Sequence, residues 1–566
     1  MPLIHGGNLY FIRDSHEGAD KDGPEIFSYS GPDGRLTFRL ERNSYDSPDE
    51  DKRRTFALPA IDPADAPGFQ KLLATATGRG AETMSVDRGN AASSDWDAIQ
   101  LYDRLISPEE VNIHTHDDDF LESLGEAIAG FVPEEPPLGY GPHIPAAYTY
   151  FGQFVAHDMS HMQWLPGIGP NGEDGWINGE QPHGLDFSSL FGTAPNPDTP
   201  TSQWQEKAGS ALGLVYNGAP GITDARDLPR AGSTGRHCCV DPRTDDNLAL
   251  AQMQVLLVRF HQALSAELVL DTTAGQRETR RHLQAVTLTD YLPRIVDSDI
   301  YEDILQNGPT LVNTSGAFFV PIEFAAACFR FGHTMVRDVY SNWIIQYPPG
   351  SNISVAPAEV ENFLFYTSAG GGLNQNQLTG NWAQAWRHMV DHQNPDLPPA
   401  ILARPIQASI ERDLHRLDHA LLADLQNPAK TGKFNLATKT LRRGASLSLP
   451  SGQQLETVAG ISTPFDIGAF LDSKPERYGH LNHVTELRTH TPLWFFILAE
   501  AEAAGSGKLG KLGSRIVTET IRAAITAVPD SILSAEPFQR GLRTDHGLQN
   551  TFTLRDVVAV AYGGVD

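Results

Sequence analysis

Residues 149–162 read TYFGQFVAHDMSHM, an apolar helical pattern with a glutamine, a histidine and an aspartate set into it. On an α-helix Gln153 and His157 stand four residues apart and share a face, while Asp158 points about 100° away. One short helix is thus expected to serve two polar sites. A single histidine on an apolar helix is ordinarily a satisfied core residue, so the reading depends on what the rest of the chain supplies. His157 and His161 have the spacing of two zinc-binding histidines, but the zinc-protease helix requires a glutamate directly after the first, and Asp158 stands there.

Two further segments carry the reading outward: GRHCCVDPRTDDNLALAQMQVLLVRFHQAL from Gly235 and AACFRFGHTMVRDVY from Ala326. With GQFVAHD they resemble, in chain order, the distal helix, the arginine helix and the proximal-histidine helix of the animal-type haem peroxidases, the peroxidase-cyclooxygenase superfamily. LATKTLRRGASLSLPSGQ from Leu436 and THTPLWFFILAEAEAAGSGKLGKLGSRIVTETI from Thr489 are similar to the C-terminal part of bacterial members. The likeness spans roughly residues 100 to 530. Five blocks in the right order outweigh what any one of them says alone.

The resemblance implies a site. His333, in FRFGHT, is the expected proximal ligand of the haem iron, His157 the distal acid–base catalyst, and Arg243, in DPRTDD, the distal arginine whose fixed charge stabilises negative charge developing on peroxide. Gln153 matches the distal glutamine, able to hold water, halide or peroxide by hydrogen bonding. Arg443, in LRRGASL, and Arg330 are expected at the haem propionates, which guanidinium groups suit. Asp158 matches a calcium-ligand aspartate, and Asp186 and Ser188 of LDFSSLFG, with the backbone carbonyls of Pro182 and Gly184, are expected to complete an oxygen set for Ca2+. Pro182 stands where the family's calcium loop has a threonine, so one hydroxyl ligand is missing.

Other departures shape the expected chemistry. Mammalian members attach haem by esters from an aspartate just before the distal histidine and a glutamate three residues after the distal arginine. Those positions are Ala156, which cannot form an ester, and Asp246, whose reach is shorter, so mainly noncovalent haem b is expected, with Asp246 among the haem-contacting residues. The asparagine partner of the family's proximal histidine aligns with Thr440, whose hydroxyl is expected to accept the imidazole N–H. Cyclooxygenase-like and fatty-acid dioxygenase members carry a radical-forming tyrosine three residues before the proximal histidine. Here that residue is Arg330, which favours peroxidase turnover, with Tyr340 a different candidate for a radical.

The function implied is a haem peroxidase that reduces hydrogen peroxide through a ferryl intermediate and oxidises small organic donors or halides. Two alternatives stand beside it, a haem-dependent fatty-acid dioxygenase and a non-catalytic binding module on the same fold.

Composition agrees with a globular chain: 566 residues, 40% hydrophobic and 20% charged. A formal net charge of −27 argues against phosphate-backbone and anionic-membrane partners. No apolar run is long enough to span a bilayer; PLWFFILAEAEAA meets its first glutamate after eight residues. The opening MPLIHGGNLYFIRDSHEGADK lacks the basic-then-apolar order of a secretory signal, so a soluble chain is expected, cytoplasmic or exported by a non-classical route. Cys238, Cys239 and Cys328 form no disulfide or metal pattern, and free thiols are expected.

Short β-like runs, NLYFIRD, EIFSYS and RLTFRLER, precede residue 95 and are separated by turn signals. The helical patterns follow: AAYTYFGQFVAHDMSHM, NLALAQMQVLLVRFHQALSAEL, FAAACFRFGHTMVRDVY and TPLWFFILAEAEAA. The expected architecture is a mainly α haem peroxidase domain over residues 96–566, with a small β-rich N-terminal extension over residues 1–95.

Overall fold

Several helices of this chain begin at side-chain caps placed just ahead of apolar runs, among them the turn that carries Arg243 and the helix that carries Arg443. The computed structural model describes residues 102–106, 113–130, 144–160, 184–191, 227–228, 239, 241–314, 318–346, 355–365, 367, 378, 386–391, 399–411, 435–481, 484–534 and 552–564, with strand segments at 2–5, 8–11, 25–30, 37–42, 55–57, 162–165 and 175–178. The chain divides into two units, residues 1–103 with 159–183, and residues 104–158 with 184–566. The expected boundary near residue 95 lies outside the described residues, as do His161, Pro182 and Cys238.

The first unit holds a seven-stranded sheet. Its strands are β1 (Pro2–His5), β2 (Asn8–Phe11), β3 (Glu25–Ser30), β4 (Thr37–Arg42), β5 (Thr55–Ala57), β6 (Met162–Leu165) and β7 (Gly175–Asn178). The order is β5-β4-β3-β2-β6-β7, with β1 also on β2. Neighbours run antiparallel except β2 and β6, which are parallel at Asn8 and Trp164. The runs read as β-like contain β2, β3 and β4. The strands at 162–165 and 175–178 were not foreseen, and the first of them corrects the reading of residues 149–162 as one helix, which stops at Met159.

The second unit is helical. Its principal helices are α1 (Asp118–Ala129), α2 (Ala147–Met159), α3 (Leu248–Glu267), α4 (Thr272–Val286), α5 (Leu436–Ser446), α6 (Leu493–Ala504), α7 (Lys511–Ala527) and α8 (Leu554–Tyr562). Asp117, Asn247, Asp271, Asn435 and Thr553 cap α1, α3, α4, α5 and α8 by accepting from first-turn N–H groups, each worth about 1 kcal/mol. Helix α6 buries every residue from Leu493 to Ala501, the pattern of a helix enclosed on all sides rather than of a surface amphipath. No helix among the described residues is long and apolar enough to cross a membrane.

Close approaches set the helix positions. A Cβ on Gly125 would lie 2.1 Å from Thr438 Oγ1 and 2.7 Å from Thr438 N, so α1 and α5 meet nearly backbone to backbone. Asn435, besides capping α5, donates from Nδ2 to the Gly125 carbonyl at 2.9 Å and locks that crossing. On α2, a Cβ at Gly152 would lie 2.2 Å from the Tyr291 hydroxyl oxygen. Tyr291 ends a π-helical turn, Thr287–Tyr291, and its ring meets Phe151 of α2 edge-on at 5.7 Å and Phe329 at 6.5 Å.

The segment FAAACFRFGHTMVRDVY departs from the expected continuous helix. A short α-helix, Ile322–Ala326, breaks at Ala327 (φ −133°, ψ −67°) and continues as a 3-10 helix, Cys328–Met335, before the chain extends into β8 (Val339–Gln346), which pairs with β9 (Val355–Glu359). A 3-10 helix has three residues per turn, so residues i and i+3 eclipse. Arg330 and His333 therefore share one edge.

Candidate active site

Asp241 caps the 3-10 turn Pro242–Asp245, its Oδ1 accepting from the Arg243 N–H at 2.8 Å. The same carboxylate grips the guanidinium, Nε to Oδ1 at 3.0 Å and Nη2 to Oδ2 at 2.7 Å. Nη2 also donates to the His157 carbonyl oxygen at 2.6 Å. His157 lies in the last turn of α2, so the cation meets a carbonyl the helix leaves without an intrahelical partner, at the negative end of its dipole. The side chains of Arg243 and Asp241 are 13% and 3% exposed, which sets this pair apart from a surface salt bridge.

Asn247 ties a second contact. Its Oδ1 caps α3 by accepting from Leu250 N at 2.8 Å, while Nδ2 donates to Gln153 Oε1 at 3.1 Å. One side chain thus starts α3 and turns the Gln153 amide so that its NH2 remains a donor. Asp246 lies between Arg243 and Asn247. Desolvation by the protein around it pushes its carboxyl up to about 7. Arg243 opposes that rise, while Asp241 and Asp245 add to it.

His333 occupies the 3-10 helix, its ring 6.3 Å from that of Trp494 and edge-on to it. Burial drives its pKa down to about 3, and the charges of Arg330 and Arg443 push the same way. The imidazole is therefore neutral at ordinary pH, and Nδ1 is buried with no hydrogen-bond partner. The expected bond to Thr440 is not formed. In α5 the Thr440 hydroxyl donates instead to the Leu436 carbonyl one turn back at 2.9 Å, as threonine hydroxyls within helices commonly do. Lys439 adds a third cation beside Arg443, its pKa lowered to about 8 by burial and by that guanidinium.

Asp158 faces away from this group, as the helical geometry requires, and is 1% exposed. The loop of residues 184–189 wraps around it: Phe187 N donates to Oδ2 at 2.6 Å, and Ser189 donates to Oδ1 from N at 2.9 Å and from Oγ at 2.8 Å. Phe187 holds φ 56°, a costly conformation for a bulky residue, kept by burial and by stacking on Phe154. Burial raises the Asp158 pKa well above the carboxylate range, the nearby charge of Asp186 raises it further, and the three donated bonds oppose. Asp186 Oδ1 accepts from Ser188 N at 2.9 Å. Among the described residues no three His, Cys, Asp or Glu side chains converge as a metal site.

The geometry brings Gln153, His157 and Arg243 together, and separately Arg330, Arg443 and His333. The sequence reading missed Asp241, Asn247, Lys439 and Tyr291. Asp241 and Asn247 carried a signal, each being a capping residue directly before a helix start. Nothing in one sequence marks Lys439 or Tyr291.

The peroxidase fold is also that of solved structures at low identity. Peroxidase A from Dictyostelium discoideum matches with a TM-score of 0.53 and 15% identity, covering 82% of this chain and 93% of that one. The Oryza sativa fatty acid alpha-dioxygenase matches with a TM-score of 0.51 and 14% identity, covering 80% of each chain. No curated protein sequence matches. The animal haem peroxidase family model matches residues 219–524, and the chain belongs to that family. The matched part contains Arg243, Asp246, Arg330, His333 and Arg443, while Gln153, His157 and Asp158 precede it.

Proposed function

We propose that the chain is a haem b peroxidase that reduces hydrogen peroxide and oxidises small organic donors or halides. One observation carries this reading: a neutral imidazole, His333, whose Nδ1 is buried without a partner, flanked by two guanidinium groups. A buried unpartnered ring nitrogen costs about 1–3 kcal/mol, a cost that coordination of that nitrogen to an iron would remove. Arg330 and Arg443, with Lys439 behind them, suit the two carboxylates of haem.

Bound haem supplies an iron centre that accepts oxidising equivalents from peroxide and passes them to donors. The remaining work falls to the chain. With haem bound, His157 would take a proton from peroxide and return it to the departing oxygen, which leaves as water. Arg243 presents positive charge to the separating oxygens, and its anchorage to Asp241 keeps it in place during the charge shift. Gln153, oriented by Asn247, donates to water, halide or peroxide. Asp246 reaches less far than the glutamate that forms an ester, so haem is held mainly noncovalently.

Haem reconstitution tests the reading. A histidine-type Soret band, its rapid change on mixing with hydrogen peroxide, and full release of haem into acidified solvent are the expected results. Oxygen uptake with linoleate and no peroxide supply would favour a fatty-acid dioxygenase instead, a function against which Arg330 weighs. Haem binding without either reaction would favour a binding module.

Ca2+ is proposed at Asp158 and Asp186, with Ser188 and the Gly184 carbonyl as further oxygen donors. Two buried carboxylates acting on each other, with Asp158 raised, fit a missing divalent charge. At a hundredfold excess over Kd, Ca2+ should stabilise the fold by about 2.7 kcal/mol. In chelator the sign of the pH dependence follows from the raised pKa. The folded state binds the Asp158 proton more tightly than the unfolded one, so this group's contribution falls as pH rises above the ordinary carboxylate range towards the folded pKa. Thermal unfolding should show Tm rising on mild acidification relative to the calcium-loaded protein. A Tm indifferent to Ca2+ and chelator would refute the site.

A further inference from the structure

We propose that a cleft beside His114, His116 and His490 is a second substrate site, which takes an uncharged phenol and draws one electron from it through Trp494. The destination of that electron rests on the haem peroxidase reading; the binding of the phenol does not.

The cleft encloses about 540 Å3 of empty space, its open mouth included, and no carboxylate, ammonium or guanidinium group lines it. A charged donor would find no counter-charge there, whereas Leu441, Leu449, Pro492, Leu493 and Trp494 offer apolar walls to a neutral ring. Three imidazoles supply the polar side. The His114 ring lies 4.7 Å from that of His116 and 5.2 Å from that of His490. His116 Nε2 is paired with the His490 carbonyl at 2.8 Å, and His490 Nδ1 with the Thr489 hydroxyl at 3.0 Å. No hydrogen bond among the described residues engages His114, which leaves its ring to receive a phenolic proton.

Trp494 joins this cleft to the haem ligand. It lines the cleft, is 2% exposed, meets the His333 ring edge-on, and donates from Nε1 to the Arg330 carbonyl at 3.3 Å. Trp494 first gives one electron, and a phenol bound against the oxidised indole then restores that electron, gives its hydroxyl proton to His114 and departs as a phenoxyl radical. The electron that Trp494 gives would pass His333 to the oxidising equivalent that peroxide leaves at bound haem. Two phenols, giving two electrons and two protons, reduce one peroxide to two waters.

The test uses haem-loaded protein with 4-fluorophenol, read by fluorine NMR for binding and by steady-state oxidation with peroxide, with iodide as the reference donor. His114→Leu should weaken 4-fluorophenol binding about tenfold, the equivalent of one lost hydrogen bond. Gly444→Leu fills the cleft from α5, where a Cβ meets only ordinary contact with Leu449, and should abolish binding. Both should retain iodide turnover. Trp494→Phe should lower kcat for the phenol far more than kcat for iodide, with the fluorine titration preserved. Unaltered binding in both cleft variants, or equal loss of phenol and iodide turnover in Trp494→Phe, would overturn the proposal. Absence of turnover with either donor would strike the haem reading and the relay with it, and the fluorine titration would still decide the site.

Discussion

Replacing His333 with leucine is expected to abolish haem uptake while leaving the haem-free chain at least as stable as the wild type. The two halves of this expectation have one cause. The imidazole is kept in a position where Nδ1 has no partner, and an apolar side chain of similar size removes that unsatisfied group. Wild-type protein should gain about 4 kcal/mol from free haem at a thousandfold above Kd, and the leucine variant nothing. The pH dependence separates the variants further. The folded pKa of about 3 lies below the imidazole value of 6.5, so between these values the unfolded chain binds more protons and stability rises with pH. His261 and His282, lowered to about 4, act in the same direction in both proteins. The leucine variant should therefore lose less stability than wild type on acidification from pH 7 to 4. A Soret band of unchanged strength in the variant would remove His333 from the ligand role.

Much of this arrangement was legible in the sequence, for definite physical reasons. The Gln153–His157 pairing and the divergence of Asp158 follow from helical periodicity alone, and α2 carries all three as expected. The nature of the His333 segment was not legible. Its pattern of apolar residues suits an α-helix, but packing against Tyr291 and Trp494 joins positions 38 and 161 residues apart, and the break depends on backbone angles at Ala327. Thr440 shows the limit of position matching. Its place in the chain corresponds to a hydrogen-bonding partner, yet a helix interior gives its hydroxyl a nearer acceptor in Leu436. Arg243 shows the converse. Its charge was foreseen, but not that Asp241 and the end of α2 would claim it, because that contact depends on where two helices stop and start.

That anchorage is what makes His157→Ala an informative variant. The reaction with hydrogen peroxide is expected to slow by about 10²–10⁴-fold, the usual contribution of a positioned acid–base group. The Soret band and the unfolding midpoint should stay close to wild type, because Arg243 bonds to the backbone carbonyl of residue 157 and keeps that contact when the side chain is truncated. Arg243→Ala is different in kind. It withdraws the charge proposed to face peroxide, frees the carbonyl at the end of α2 and leaves Asp241 buried without its cation, so a loss on the order of 3–5 kcal/mol in stability should accompany a rate loss of about 10²–10³-fold. Stopped-flow mixing at a fixed haem load measures the rates, and denaturant unfolding of the haem-free proteins measures the stabilities. If His157→Ala reacts with peroxide as fast as wild type, the distal proton carrier is another group. If Arg243→Ala loses rate but no stability, the salt bridge contributes nothing to holding α2 against α3, and Arg243 acts through its charge alone.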